Sequence, residues 1–188
     1  MALMQTGWFS TKSRSKLSGL DVPALPVWAL VGLGFVVALL HTTFDYALGL
    51  PGHHGFELMT ALLFARLVSP QRWACLLVAS GTVSGDLLLA ADLMHNLKHI
   101  PLYFLAGGAI DLLYRILGDR CRQLGSAALV GGMVHVTKPM LTLLVAALAD
   151  TTFGFMRFGN IFPLVTHFSF GAIGAICGAL LARTYLDK

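Results

Sequence analysis

Imidazole is the main functional group in this chain. Its 188 residues include seven histidines but only nine carboxylates. Two of the histidines are adjacent in "GLPGHHGFE", residues 49–57, a bend of glycine and proline that also holds Glu57. Imidazole donates or accepts hydrogen bonds, ligates metals and titrates near neutrality. Gly52 and Gly55 let the chain turn sharply, so His53, His54 and Glu57 can converge on one small polar ligand. Two further bends mix donors and acceptors. Residues 92–99 carry Asp92, His95, Asn96, Lys98 and His99, and residues 150–160 carry Asp150, Arg157 and Asn160. His95 and His99 are four apart, which on a helix places both on one face, as a metal pair requires. Asn96 and the nearby Pro101 argue against an unbroken helix there. The expectation is no resident metal, no cofactor and no catalytic residue. Ser84 in "GTVSGD" and His167 in "THFSFG" are of the types that serve as nucleophile and base, but Thr82 stands where a nucleophile turn would carry glycine.

A second set of ionisable groups interrupts apolar sequence: Asp86, Asp111, His135, Lys138 and His167, with His41 and Asp45 nearer the end of their run. Such groups are expensive inside a bilayer and face the bundle interior. Lys138 needs a partner, and Asp86 or Asp111 is expected at similar depth. The pair either fixes helix register or marks a ligand path. Pro139 follows Lys138 and frees a backbone carbonyl one turn earlier, which draws attention to "HVTKP", residues 135–139. His41 and His167 either contact a ligand or hydrogen-bond to neighbouring helices.

The elements that must position these groups are membrane helices. Of the residues, 56% are hydrophobic and 12% charged, about half the charged share of a soluble domain, and mean hydropathy is +0.76. The net charge of +4 does not point to nucleic acid, because the cations sit at the ends of apolar runs. Those runs fall near 25–50, 56–69, 73–95, 99–117, 124–149 and 160–185. A span needs about 20 residues. The second run is short, but Arg66 can snorkel and the helix can extend towards Trp73. The reading is an all-α, six-span bundle over residues 23–188, preceded by a polar cytoplasmic segment, 1–22. The run after that segment is too long for a signal peptide. With the N-terminus inside, ten cations lie inside (Lys12, Arg14, Lys16, Arg66, Arg72, Arg115, Arg120, Arg122, Arg183, Lys188) and only Lys98 and Arg157 outside, a strong positive-inside bias. Both termini are then cytoplasmic, and the three histidine- and carboxylate-bearing bends face out.

Small residues recur at helical spacing: Gly171, Gly174, Ala175, Gly178 and Ala179; Gly131 and Gly132; Gly107 and Gly108; Ala61 and Ala65. These let helices approach closely, within the bundle or against another membrane subunit. Cys75, Cys121 and Cys177 match no metal or disulfide spacing and read as small packing residues.

With six spans in under 200 residues, polar outer loops and small-residue stripes, the chain resembles the substrate-binding S component of energy-coupling factor (ECF) vitamin transporters. "PGHHGFELMTALLFARL" followed by "IPLYFLAGGAIDLLYRIL" carries the likeness. The first span, "VWALVGLGFVVALL", lacks the A-x-x-x-A motif that members commonly carry there. The resemblance implies binding of a vitamin or small heterocycle, cobalamin among them, between outer loops and outward helix halves, in a bacterial inner membrane. It implies a transmembrane coupling subunit and ATPase subunits as partners, since no Walker motif is present. The expected ligand-binding residues are His41, Asp45, His53, His54, Glu57, His95, Asn96, His99, Lys138, Arg157 and Asn160, with Asp86, Asp111, His135 and His167 as buried polar groups. Trp28, Phe44, Tyr46, Tyr103 and Phe155 are available to stack on a ring, and imidazole suits cobalt. Two other readings compete. One is an intramembrane haem protein ligated by His41, His135 or His167; the other is a solitary channel or assembly factor.

Overall fold

The computed structural model describes residues 25–44, 50–89, 99–149 and 159–187. The expectations for Asp45, Tyr46, Asp92, His95, Asn96, Lys98, Asp150, Phe155 and Arg157 lie outside the described residues, as does the side chain of Phe44. Among the described residues the fold is all α. The helices are α1 (Val27–Phe44), α2 (Gly55–Val68), α3 (Ala74–Leu89), α4 (Ile100–Leu117), α5 (Leu124–Ala149) and α6 (Ile161–Leu186), with a 3-10 turn at Gly118–Arg122 joining α4 to α5. Each expected apolar run holds one helix.

Three helices are long and apolar enough to cross a membrane: α4 with its 3-10 extension, α5 and α6. Their outward faces are apolar. Ile116 is 71% exposed, Leu148 79% and Ile161 75%, so this surface is matched to hydrocarbon rather than water. The second helix differs. Its 14 residues reach about 21 Å at 1.5 Å each, against about 30 Å of hydrocarbon. Ten of those residues are buried, so α2 is a short central post that the other helices surround.

Small residues set the packing. Helix α1 lies chiefly on α3, and α6 lies on both α5 and α2. A Cβ added at Gly131 would stand 2.5 Å from the Gly171 carbonyl oxygen, and one at Gly178 would stand 2.5 Å from that of Thr60. Both are closer than real Cβ atoms come, so backbones touch directly along α6. These stripes are used inside the bundle.

The end of α2 away from the double histidine is closed by a buried ion pair. Arg66 does not snorkel; it is 6% exposed, and its Nη1 donates to Asp111 Oδ1 at 2.9 Å. The same guanidinium donates to the carbonyls of Ser69 (2.8 Å) and Arg72 (3.2 Å) and lies over the Tyr114 ring. Asp111, fully buried, also accepts from the amides of Cys75 (3.1 Å) and Leu76 (3.2 Å). Those amides open α3 and have no partner within their own helix. Asp111 is thus engaged by Arg66 and the start of α3, and is not the counter-ion expected for Lys138.

Removing one member of this pair leaves a buried charge. Asp111→Ala and Arg66→Ala are each expected to cost about 3–5 kcal/mol in detergent unfolding. Arg66→Met/Asp111→Leu should recover only part of that, because the α3 amides stay uncapped.

Candidate functional site

Six of the seven histidines lie in the described residues, and all six gather at the other end of α2. The turn before α2 is the organiser. Gly52 has φ +86°, a left-handed value that L side chains rarely adopt, and a Cβ there would stand 2.7 Å from the His167 ring. A Cβ at Gly55 would collide with the His135 ring. The glycines of "PGHHG" therefore serve both to turn the chain and to let α5 and α6 bring imidazoles against its backbone.

The rings form two stacked groups. His41, from α1, lies flat on His54, with centroids 3.5 Å apart and planes 9° apart; His53 tilts against His54 at 3.7 Å. His135 and His167, from α5 and α6, stack at 5.0 Å. Three rings are fixed by backbone carbonyls. His53 Nδ1 donates to Leu50 O (2.6 Å), His167 Nδ1 to Pro163 O (2.7 Å) and His135 Nε2 to Gly52 O (3.2 Å). A carbonyl oxygen only accepts, so these nitrogens carry the protons. In the neutral rings His53 Nε2, His167 Nε2 and His135 Nδ1 are then lone pairs. His53 is 8% exposed, and its Nε2 is buried without a hydrogen-bond partner among the described residues.

A small, partly open cavity of about 30 Å³ lies beside these rings, lined by His41, His54, His99, His135, Tyr103 and Lys138 among others. Burial, then the neighbouring His41 and His53 rings and the Lys138 ammonium, pushes the His54 imidazole from 6.5 down to about 2. A space of this size holds one or two waters; drug-sized ligands occupy about 300 Å³ or more. Among the described residues no three His, Cys, Asp or Glu side chains stand in position to hold a metal ion.

The structure sorts the expected residues. It brings His41, His54, His99 and Lys138 to one cavity and sets His53 beside them. His135, expected as a buried polar group or a haem ligand, lines the same cavity, and His167 stacks on it. Glu57 does not join them. It lines a separate open groove of about 450 Å³ between α1, α2 and α6, whose walls are mostly apolar. Asn160 precedes α6 as an exposed residue outside the cavity. Trp28 is 77% exposed and 13 residues from His41 on α1, about 20 Å by helical rise, so it does not stack on a ligand here, whereas Tyr103 can. Ser84 is exposed and bonded to its own helix at Ser80 O, while His167 is buried, so no nucleophile–base pair forms. Asp86 is buried on α3. Comparisons with protein-family models, curated proteins and solved structures give no match.

Gly52→Ala is expected to destabilise the protein by about 1–3 kcal/mol, measured by unfolding midpoint, and to shift the His167 imidazole resonances. His54 also makes stability depend on acidity. Its folded value is depressed, so the unfolded chain takes up the extra proton. Stability should be unaffected by His54 above pH 6.5 and fall as the pH drops from 6.5 towards about 2. In a melting series over pH 8 to 4, His54→Gln should flatten that decline.

Proposed function

We propose that the chain is a multi-pass membrane protein that binds a small polar substrate at its histidine end, as the substrate-binding subunit of an uptake system of the S-component type. The observation that carries this reading is the convergence of His54, from the turn before α2, with His41 of α1, His99 just before α4, and His135 and Lys138 of α5, on one cavity at one end of a bundle with an apolar exterior. The charge pattern supports an orientation. Arg66, Arg72 and Arg115 meet around the α2–α3 connection, and Arg183 reaches the Arg122 carbonyl. This basic end lies about 17 Å along α2 from Gly55 by helical rise. In the proposed six-span topology it faces the cytoplasm, with both termini, and the histidine end faces out. The membrane is then the inner membrane of a bacterium, and a coupling subunit with ATPase partners supplies the energy.

The same geometry weighs on the rival readings. His135 and His167 stack face to face at 5.0 Å, which leaves no slot for a macrocycle between their nitrogens. A vitamin-sized substrate requires the cavity to open about tenfold in volume.

Purification in mild detergent, followed by native mass spectrometry and an absorption spectrum, tests the reading. A co-purifying ligand is expected, with affinity reduced roughly tenfold to a hundredfold by His54→Ala or His135→Ala, the cost of one or two hydrogen bonds. A colourless, ligand-free protein whose melting point responds to no vitamin, heterocycle or ion would sink it.

A further inference from the structure

We infer that Arg72, Trp73 and Arg115 form a seat for the phosphate of an anionic membrane phospholipid, at the basic end of the bundle. Such a seat goes beyond the binding-subunit reading and stands without it; it requires only that the apolar exterior lies in a bilayer. Two cations share one ring here. Arg115 Cζ lies 3.9 Å from the Trp73 centroid, and Arg72 Cζ lies 5.2 Å from it. An aromatic face attracts a guanidinium, and Arg115 Nη2 also donates to the Arg72 carbonyl at 3.3 Å. Arg72 belongs to the α2–α3 connection and Arg115 to the last turn of α4, so the tertiary fold brings the two charges together.

Neither cation has an anion. Asp111 and Asp119 pair with Arg66 and Arg122, and no carboxylate among the described residues pairs with Arg72 or Arg115. Arg115 uses one donor, on the Arg72 carbonyl, and the Arg72 guanidinium donates to no acceptor among the described residues. Like charges held at one indole repel, more strongly beside hydrocarbon than in water. An anion between them replaces that repulsion with attraction. The planar guanidinium fork fits phosphate oxygens two at a time.

The surroundings select a lipid over a free phosphate. Arg115 ends an apolar helix that is long enough to cross a membrane, which is the depth of the head groups. Leu112 lies one turn before Arg115, and Ile116 follows it. Leu105 continues the same stripe, and all three leucine and isoleucine side chains are exposed. An acyl chain can therefore run down α4 from a phosphate held at its end. Trp73, also exposed, is the kind of amphipathic ring that sits at head-group level. Charge selects among lipids. A zwitterionic head brings an ammonium towards two guanidiniums, whereas phosphatidylglycerol brings net negative charge, for which basic pockets between membrane helices are suited. The Arg72 carbonyl accepts from both Arg115 and Arg66, so a head group bound here braces the α2–α3 connection just outside the buried Arg66–Asp111 pair.

The test uses the full chain, delipidated in mild detergent and titrated in native mass spectrometry with phosphatidylglycerol, phosphatidylcholine of matched chains, and glycerol 3-phosphate. The expected result is one phosphatidylglycerol retained per chain, about tenfold tighter than phosphatidylcholine, and no retention of glycerol 3-phosphate. Arg72→Gln and Arg115→Gln should each weaken phosphatidylglycerol about tenfold. Arg72→Lys should fall between, because it keeps the charge and loses the fork. Arg120→Gln removes another exposed cation from the same end and should leave the affinity within about twofold. Arg115→Gln also gives up its bond to the Arg72 carbonyl, so the Arg72 variants decide if it fails to fold. Phosphatidylglycerol should raise the unfolding midpoint of the parent chain and not that of Arg72→Gln. Equal retention of the two lipids, or equal losses in Arg72→Gln and Arg120→Gln, would mean a diffuse basic surface and overturn the inference. Glycerol 3-phosphate binding as tightly as the lipid would overturn it too, in favour of a free phosphate. Capture or loss of a ligand at the histidine end changes none of these readouts.

Discussion

The guanidinium of Arg66 and the carboxylate of Asp111 sit where neither can reach water, and much of the bundle is arranged around keeping both satisfied. The pair joins α2 to α4. Through Asp111 it also closes the first turn of α3, and through Arg66 it takes up the carbonyls that end α2 and lead into α3. Two charges thereby complete backbone hydrogen bonding that a tight α2–α3 connection would otherwise leave open. The cost of burying charge is offset here by hydrogen bonds to Arg66 Nη1 and Nη2 and to the Asp111 carboxylate as well as by attraction.

The histidine end answers the same demand mainly with imidazoles. Imidazoles donate to carbonyls of a glycine turn and of the first turn of α6, and stack on one another. One end of α2 is therefore held by a buried ion pair in which Arg66 Nε alone lacks a hydrogen-bond partner among the described residues, while the other keeps acceptor nitrogens in reserve. Glycine at positions 52 and 55 makes that possible, since a side chain at either would push the rings of His167 and His135 away.

The all-helical class and the placement of six helices were legible because apolar runs separated by glycine, proline and charge leave little other reading. The importance of "GLPGHHGFE" and "HVTKP" was legible because ionisable groups are rare in such sequence. The partner of Asp111 was not. Depth along a helix suggested Lys138, but pairing depends on which faces meet, and Arg66 looked like a boundary residue from its place near the end of a short run. Glu57 shows a related limit: it lies in the first turn of α2, three residues after His54, yet lines a different groove. His135 and His167 were legible as buried histidines, but nothing in the linear spacing shows that α5 and α6 pack closely enough, glycine to glycine, for those rings to stack.

The shortness of α2 has a consequence for how such a chain is made. A segment of 14 residues that carries an arginine in its last turn is too short to span by itself and partitions poorly into a bilayer. Its counter-charge, Asp111, is synthesised 45 residues later. In the proposed six-span topology α2 then waits at the interface or in the insertion machinery until α3 and α4 have emerged, and enters the bilayer as their passenger. Assembly order, and not just final packing, is written into the distance between those two residues.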